Sequence, residues 1–304
     1  MIGRSRKARE TTMTSSLTAQ HNVYQAVTDR IIEAIEAGAG EFVMPWHQVS
    51  AGIGRPTNAA TGKRYQGTNV VALWAEGSLS RFTSGFWATY RQWQALGAQV
   101  NRGERSATIV FYTPLKGTGD DEEDRPGRRL VARASRVFNA DQVEGWEAPG
   151  LEWPNLAQAL PTVEAFVAAT GAVISHGHDH ACYNRREDRI ERPDRDRFLG
   201  SPTSTPTESY YATTLHELTH YSGAPHRLNR EFGKRFGDEA YAVEELVAEL
   251  GAAFLCADLM IANEPRPDHA SYVSHWLSVL EADRKVMFMA ARLASEAAAF
   301  LGGP

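Results

Sequence analysis

The sequence predicts an α+β protein of two domains: an N-terminal α+β domain, and a mostly helical second domain with a small antiparallel sheet. Three observations lead there. Short strand-like runs separated by loops fill much of the first 200 residues, whereas from about 205 onward the apolar residues recur at helical spacing. Between Gly145 and Pro161 the composition turns to Pro, Gly and Trp, as expected of a boundary. The formal net charge of −5 is also unevenly shared: residues 1–150 hold 18 Lys/Arg against 15 Asp/Glu, and residues 151–304 hold 14 against 22. At 304 residues, 42% hydrophobic and 23% charged, the chain is long enough for two separate cores and is neither fibrous nor disordered throughout. The expected division is a disordered basic arm over 1–17, a first domain over 18–148, a linker over 149–161 and a second domain over 162–304.

From Thr18 to about Ala37, Val23, Val27, Ile31, Ile32 and Ile35 mark one face of an amphipathic helix, stopped at Gly38 and Gly40. Loops with basic and aromatic tips follow, including Thr61-Gly-Lys-Arg-Tyr65, and then helical segments at Val70–Ala75 and Tyr90–Leu96. The β-branched and aromatic runs Ser106–Thr113 and Arg129–Phe138 are predicted to pair as strands across an insertion that carries the acidic stretch Asp120–Asp124. In the second half a helix at Thr162–Thr170 precedes three short antiparallel strands, Gly171–Ser175, Ala181–Asn184 and Arg189–Glu191. Helices at about 205–222, 239–262, 269–281 and 283–301 complete the chain. Two cysteines, Cys182 and Cys256, make no disulfide framework and suit a reducing cytoplasm, and no apolar run reaches the roughly 20 residues that span a bilayer.

His216-Glu217-Leu218-Thr219-His220 is the pattern that carries chemistry. Two His four apart share a helix face and can ligate zinc, while the intervening Glu can act as general base. The required helix is signalled: Thr205-Pro206-Thr207-Glu208 is a capping box with Pro at the first helical position, and Gly223 reads as a left-handed terminator. A catalytic zinc takes a third protein ligand, and the residues leave alternatives. His226 fits a longer motif in which a Gly turn returns a third His; Glu245 and Glu249 lie four apart on the next helix, one to bind metal and the other to orient a ligand His. Glu217 would then accept a proton from water whose pKa the metal lowers towards about 7, and pass it to the leaving amine. Ala181–Glu191 would offer an edge strand to an extended substrate peptide, and Tyr221 or Arg227 would stabilise the oxyanion. His176, His178 and His180 alternate as on a strand face and read as a polar, solvated edge.

Several motifs together carry a resemblance: Tyr65-Gln-Gly-Thr-Asn69, Gln92 with Leu96-Gly-Ala-Gln-Val-Asn-Arg-Gly-Glu104, Val137-Phe-Asn-Ala-Asp-Gln-Val-Glu-Gly145, the His-Glu-Leu-Thr-His run, Arg227-Leu-Asn-Arg230 and Glu244-Glu-Leu-Val-Ala-Glu-Leu-Gly-Ala-Ala-Phe-Leu255. Over about 20–300 the chain resembles the ArdC antirestriction proteins of conjugative plasmids. The resemblance implies a single-stranded-DNA-binding domain, similar to the start of TraC primases, followed by a zincin-like metallopeptidase domain that holds Zn²⁺ or another divalent ion such as Mn²⁺. It also favours Glu245 over His226 as third ligand, with Glu249 behind it. Its implied role is cytoplasmic: coating single-stranded DNA and protecting it from restriction, with a restriction enzyme or a DNA-bound protein as peptidase substrate. A protease resembling the SprT type, or a priming accessory with a purely structural metal, are the competing functions. Single strands are bound by basic groups on phosphates and rings on bases. Lys63, Arg64, Tyr65, Trp87, Arg91, Arg102 and Arg105 supply both kinds, while Trp74 and Trp93 read as core.

Overall fold

A computed structural model describes residues 23–38, 44–47, 53–114, 130–149, 156–201, 204–230, 239–262 and 269–302. The predicted basic arm, the acidic stretch Asp120–Asp124 and the 150–155 part of the linker lie outside the described residues. Helix α1 covers 23–38 and buries the predicted face through Val27, Ile31, Ile32 and Ile35. Strand β1 (Thr57–Asn58), helix α2 (Thr68–Ser80), strand β2 (Phe86–Ala88), helix α3 (Tyr90–Ala95), β3 (Gln99–Val100), β4 (Ala107–Pro114), β5 (Leu130–Asn139) and β6 (Val143–Glu144) follow. The sheet order is β1-β2-β5-β4, with β3 and β6 forming a separate ribbon. β4 and β5 pair antiparallel as the sequence predicts, from Ala107 opposite Val137 to Pro114 opposite Leu130. Asn69 explains one of the motif positions. Its amide donates to the Val110 carbonyl and accepts from the Val110 N–H, both at 2.7 Å, locking the start of α2 onto β4.

In the second half, helix α4 spans Leu156–Ala169, so it begins inside the predicted linker and carries Pro161 in its second turn at the cost of one backbone bond. Strands β7 (Val173–Ser175), β8 (Cys182–Asn184) and β9 (Arg189–Glu191) form a sheet of order β7-β9-β8. The predicted all-antiparallel sheet is corrected: β8 and β9 are antiparallel, but β7 and β9 are parallel. The tight turn through Asp188, at φ 49°, folds β9 back along β8 and inserts it between the other two strands. Helices α5 (Pro206–Ser222), α6 (Glu239–Leu259), α7 (His269–Ala282) and α8 (Lys285–Phe300) complete the fold.

Helix α6 organises the core. Leu246, Val247, Leu250, Ala253, Phe254 and Leu255 are all fully buried, and residues apolar on every side require cover from every side. That cover comes from both halves of the chain, while two smaller apolar clusters, around Trp87 and around Trp93, belong to the N-terminal half alone. A single apolar cluster runs from Val27, Ile31 and Val70 through Leu215 and Leu246 to Ala291. Trp74 on α2 lies 5.8 Å from the Phe254 ring, Tyr24 on α1 packs edge-on at 4.6 Å against Phe288 on α8, and Trp46 meets Trp276 on α7 at 6.2 Å. Asp258, near the end of α6 with its carboxylate fully buried, is held by Arg55 at 2.5 Å and Arg64 at 2.8 Å, both from the N-terminal half.

α5 and α6 cross at Gly251, where a Cβ would lie 2.5 Å from Thr219 Cγ2 and 2.7 Å from its hydroxyl. Thr219 is buried and its hydroxyl donates to the Leu215 carbonyl, so it cannot swing aside. Gly251→Ala should therefore destabilise the protein by about 1–3 kcal/mol through overpacking. Adding Thr219→Ala should recover part of that loss, because the pair is coupled through one contact. Thermal melts of the two single variants and the double check this; strictly additive effects would show that the crossing is not the cause.

Candidate metal centre

The helix needed for the His-Glu-x-x-His pattern forms as the sequence signals. The Thr205 hydroxyl accepts from the Glu208 N–H at 3.2 Å, and the Glu208 carboxylate accepts from the Thr205 N–H at 2.9 Å. At the other end Gly223 has φ −82° and is not the left-handed terminator predicted. The chain instead turns through Asn229, at φ 49°, with the Arg227 and Asn229 N–H groups both donating to the Ala224 carbonyl.

His216 and His220 project from α5 towards α6, where two successive turns of helix carry Glu244, Glu245 and Glu249. Glu245 faces both rings: its Oε2 lies 3.5 Å from His216 Nε2 and its Oε1 lies 3.6 Å from His220 Nε2. One ligating atom from each of the three residues falls within 4.8 Å of the others, which is the donor set of a two-His, one-carboxylate site. Each ring is backed on its far nitrogen by a further carboxylate, Glu249 at 3.5 Å from His216 Nδ1 and Glu244 at 3.1 Å from His220 Nδ1. The Glu244 hydrogen bond favours the His220 tautomer whose Nε2 lone pair faces the cluster, whereas Glu249 meets His216 Nδ1 as a charge contact without a hydrogen bond. The sequence pairs Glu245 with Glu249; the structure adds Glu244, which a helical step of 100° aims at His220 instead of at the centre.

Glu244 is itself held by Arg230, whose Nε donates at 3.0 Å to one oxygen and Nη2 at 2.8 Å to the other. Arg230 Nη1 also donates to Ser222 Oγ at 2.8 Å, so this buried guanidinium fastens the end of α5 to α6. The motif Arg227-Leu-Asn-Arg230 was visible in the sequence, but nothing in its spacing says that Arg230 folds back under the helix.

Glu244, Glu245 and Glu249 are all buried around the two rings, and the buried arginine that pairs with this group is Arg230, on Glu244. That anionic excess in a desolvated place demands either protonated imidazoles or a multivalent cation. The protein's own groups respond accordingly. Burial opposes a charged His220, yet Glu245 and Glu244 outweigh it and push the ring up to about 10. Burial would raise Glu245, but His220 and His216 hold it well below the usual carboxylate range. A divalent ion would satisfy the same charge with the same atoms, so the residues present fit one.

Glu217 is buried close enough to Cys182 of β8 that, after burial, its charge and that of Glu191 raise the Cys182 thiol. His226 is not brought to the cluster. Its side chain is 61% exposed at the tip of the turn, 3.2 Å from Asp188 and within 2.7 Å of Arg227 Nη1. The turn through Asn229 that returns Arg230 to Glu244 carries His226 outward, which corrects the longer spacing motif. Arg227 is stacked 3.5 Å over the Tyr221 ring and ion-paired with Asp188, so both candidate oxyanion groups are engaged with each other. His176, His178 and His180 lie in the loop after β7; His176 stacks on Tyr210, and among the described residues none of the three joins a metal-ligating cluster.

In the N-terminal half Lys63, Arg91, Arg102 and Arg105 are exposed. Trp87 is not available for stacking: at 2% exposure it packs with Leu73, Ala107 and Val137, because residues on the inner side of β2 face α2. Tyr65 is half-buried with its hydroxyl accepting from Asn58, and Arg64 is committed to Asp258. Among the described residues of this half, the exposed large rings are Tyr90, Phe111 and Tyr112.

Comparison with known proteins falls into two parts that meet near the boundary. Residues 21–143 match the model of the N-terminal domain of the anti-restriction factor ArdC, and residues 161–293 match that of a zincin-like metallopeptidase. An uncharacterized protein, y4eC, of Sinorhizobium fredii is 41% identical over 94% of either chain. DNA primase TraC of Escherichia coli is 36% identical over 88% of this chain, which spans only 26% of TraC. Among solved structures, the antirestriction ArdC protein of plasmid R388 matches in a metal-free form (37% identity, TM-score 0.73). Its Mn(II)-bound form matches at 36% identity and TM-score 0.72, and both comparisons cover 92% of this chain and 96% of the other.

Proposed function

Since the chain belongs to the ArdC antirestriction family, with a zincin-like metallopeptidase domain behind the ArdC N-terminal domain, we propose that it binds single-stranded DNA and protects incoming plasmid DNA from restriction during conjugation, acting in the cytoplasm as a metal-dependent peptidase. The observation that carries the peptidase part is the convergence of His216, His220 and Glu245 within 4.8 Å, with Glu217 one residue from the first ligand. No helix among the described residues is long and apolar enough to cross a membrane. The working division is 18–148 for DNA and 162–304 for the metal domain, with 149–161 as the join.

A divalent ion held by His216, His220 and Glu245, Zn²⁺ or Mn²⁺, would supply Lewis-acid polarisation of a peptide carbonyl and acidify water. The protein's residues do the rest. Glu217 accepts the proton and returns it to the leaving amine; Glu249 and Glu244 hold the two rings in register; Arg230 keeps Glu244 ionised and in place. Strand β8 ends the sheet, so its outer edge is open to an extended peptide, and a cleft of about 560 Å³ lined by Tyr183, Arg185, Ala224 and His226 continues from it. A restriction enzyme or another DNA-bound protein is the substrate class this reading names.

For DNA, the exposed cations Lys63, Arg91, Arg102 and Arg105 serve as phosphate contacts, and Tyr90, beside Arg91, takes the stacking role assigned to Trp87. Arg102→Ala with Arg105→Ala should weaken oligonucleotide binding and flatten its salt dependence by about 1.4 in log–log slope, at roughly 0.7 per phosphate contact on single strands. The same double variant should lower restriction protection in a conjugation assay. Undiminished affinity and slope would remove these two arginines from the interface, and undiminished protection despite lost binding would refute the DNA-dependent reading.

A further inference from the structure

His47 lies 202 residues before Glu249, in the short described stretch 44–47, yet it reaches the metal centre. Its side chain is 2% exposed and its Nε2 sits 3.2 Å from Glu249 Oε1. The other ring nitrogen is accounted for: the Met44 N–H donates to His47 Nδ1 at 3.0 Å, while the His47 backbone N–H donates back to the Met44 carbonyl at 2.9 Å. A ring nitrogen that accepts from a backbone N–H carries no proton, so in the neutral ring the proton is on Nε2 and is donated to Glu249. The second oxygen of the same carboxylate, Oε2, stands 3.5 Å from His216 Nδ1, a charge contact that is not a hydrogen bond. His216 can present Nε2 to a metal only with its proton on Nδ1, facing Glu249. The carboxylate is thus bracketed by two imidazoles, one from each half of the chain. Neighbouring Trp46, fully buried against Trp276, holds the segment in place.

We propose that His47 is a positioning residue of the metal centre, orienting Glu249 and through it His216, so that the N-terminal half completes a site whose ligands all come from the C-terminal half. This rests on the metal-centre reading above. Without the His47 donor, Glu249 is a buried carboxylate with one fewer hydrogen bond, free to rotate away from His216; loss of such an outer partner weakens metal affinity by about 10–100-fold.

The test uses the full chain and three replacements. His47→Gln places an amide N–H near the position of Nε2 and reaches Glu249. His47→Asn can keep the contact with Met44 but falls short of Glu249, and His47→Leu removes both. Dissociation constants for Mn²⁺ and Zn²⁺, and the visible spectrum of the Co²⁺-loaded protein, are measured together with single-stranded-oligonucleotide affinity. Expected are metal affinities 10–100-fold weaker for Asn and Leu, within about threefold of wild type for Gln, an altered Co²⁺ spectrum for Asn, and unchanged DNA affinity. If His47→Leu does not fold, the Gln–Asn comparison alone decides. Equal metal affinity and equal spectra for Gln, Asn and wild type would overturn the proposal and leave the metal centre standing. A wild-type chain that takes up no metal would overturn both.

Discussion

Glu217→Gln should retain stoichiometric metal and wild-type affinity for single-stranded DNA while losing hydrolysis by about 10²- to 10⁴-fold, the usual contribution of a positioned general base. The amide has the shape of the carboxylate and can still accept a hydrogen bond, but it cannot take up a proton at neutral pH. Because His216 and His220 meet Glu245 of α6 while Glu217 lies near Cys182 of β8, the substitution leaves the three candidate ligands untouched. Restriction protection by this variant in recipient cells discriminates between two mechanisms. If protection falls with hydrolysis, cleavage is part of the protective mechanism. Protection at the wild-type level would assign it to DNA coating alone and reduce the metal to a structural role.

Glu245→Ala should abolish stoichiometric metal. Each oxygen of this carboxylate faces one His Nε2, at 3.5 and 3.6 Å, so its removal takes away the third donor and the charge that favours a cation. A loss of at least about 10³-fold in affinity, about 4 kcal/mol, is expected, since two imidazoles alone make a weak divalent site. His226→Ala should leave affinity unchanged, its ring being exposed and paired with Asp188. Metal analysis of the three proteins after dialysis checks both statements; full occupancy in Glu245→Ala would exclude Glu245 as a ligand.

The two outcomes for the third ligand show where sequence reasoning stops. By spacing alone His226 was the sharper match, because a motif records distances along the chain and not the path of a turn. The path is settled by Arg230, which folds back to Glu244 and leaves His226 at the outer tip of the loop. Trp87 and Arg64 tell the same story. A tryptophan near exposed loops looks suited to a nucleic acid, but Trp87 fills the space between β2 and α2; Arg64 pairs with Asp258, 194 residues away, with its side chain still 42% exposed.

The amino-acid sequence by itself determined the local order of this protein. The capping box at Thr205 and the i,i+4 spacing of His216 and His220 specify a helix with two candidate ligands on one face. The β-branched runs specify the β4–β5 pair, and the Glu-rich stretch at 244–249 specifies a neighbouring helix with acidic groups at ligand spacing. These are short-range consequences of backbone hydrogen bonding and side-chain period, and no distant residue is needed to read them. Tertiary structure alone decided what lies behind the ligands. Gly251 permits the close crossing of α5 and α6; Arg230 and His47 supply the donors that hold Glu244 and Glu249; Asp258 ties the N-terminal half to the same helix. Each is a contact between residues far apart in sequence, made because a helix buried on all sides must be covered from both halves and because its buried charges need partners.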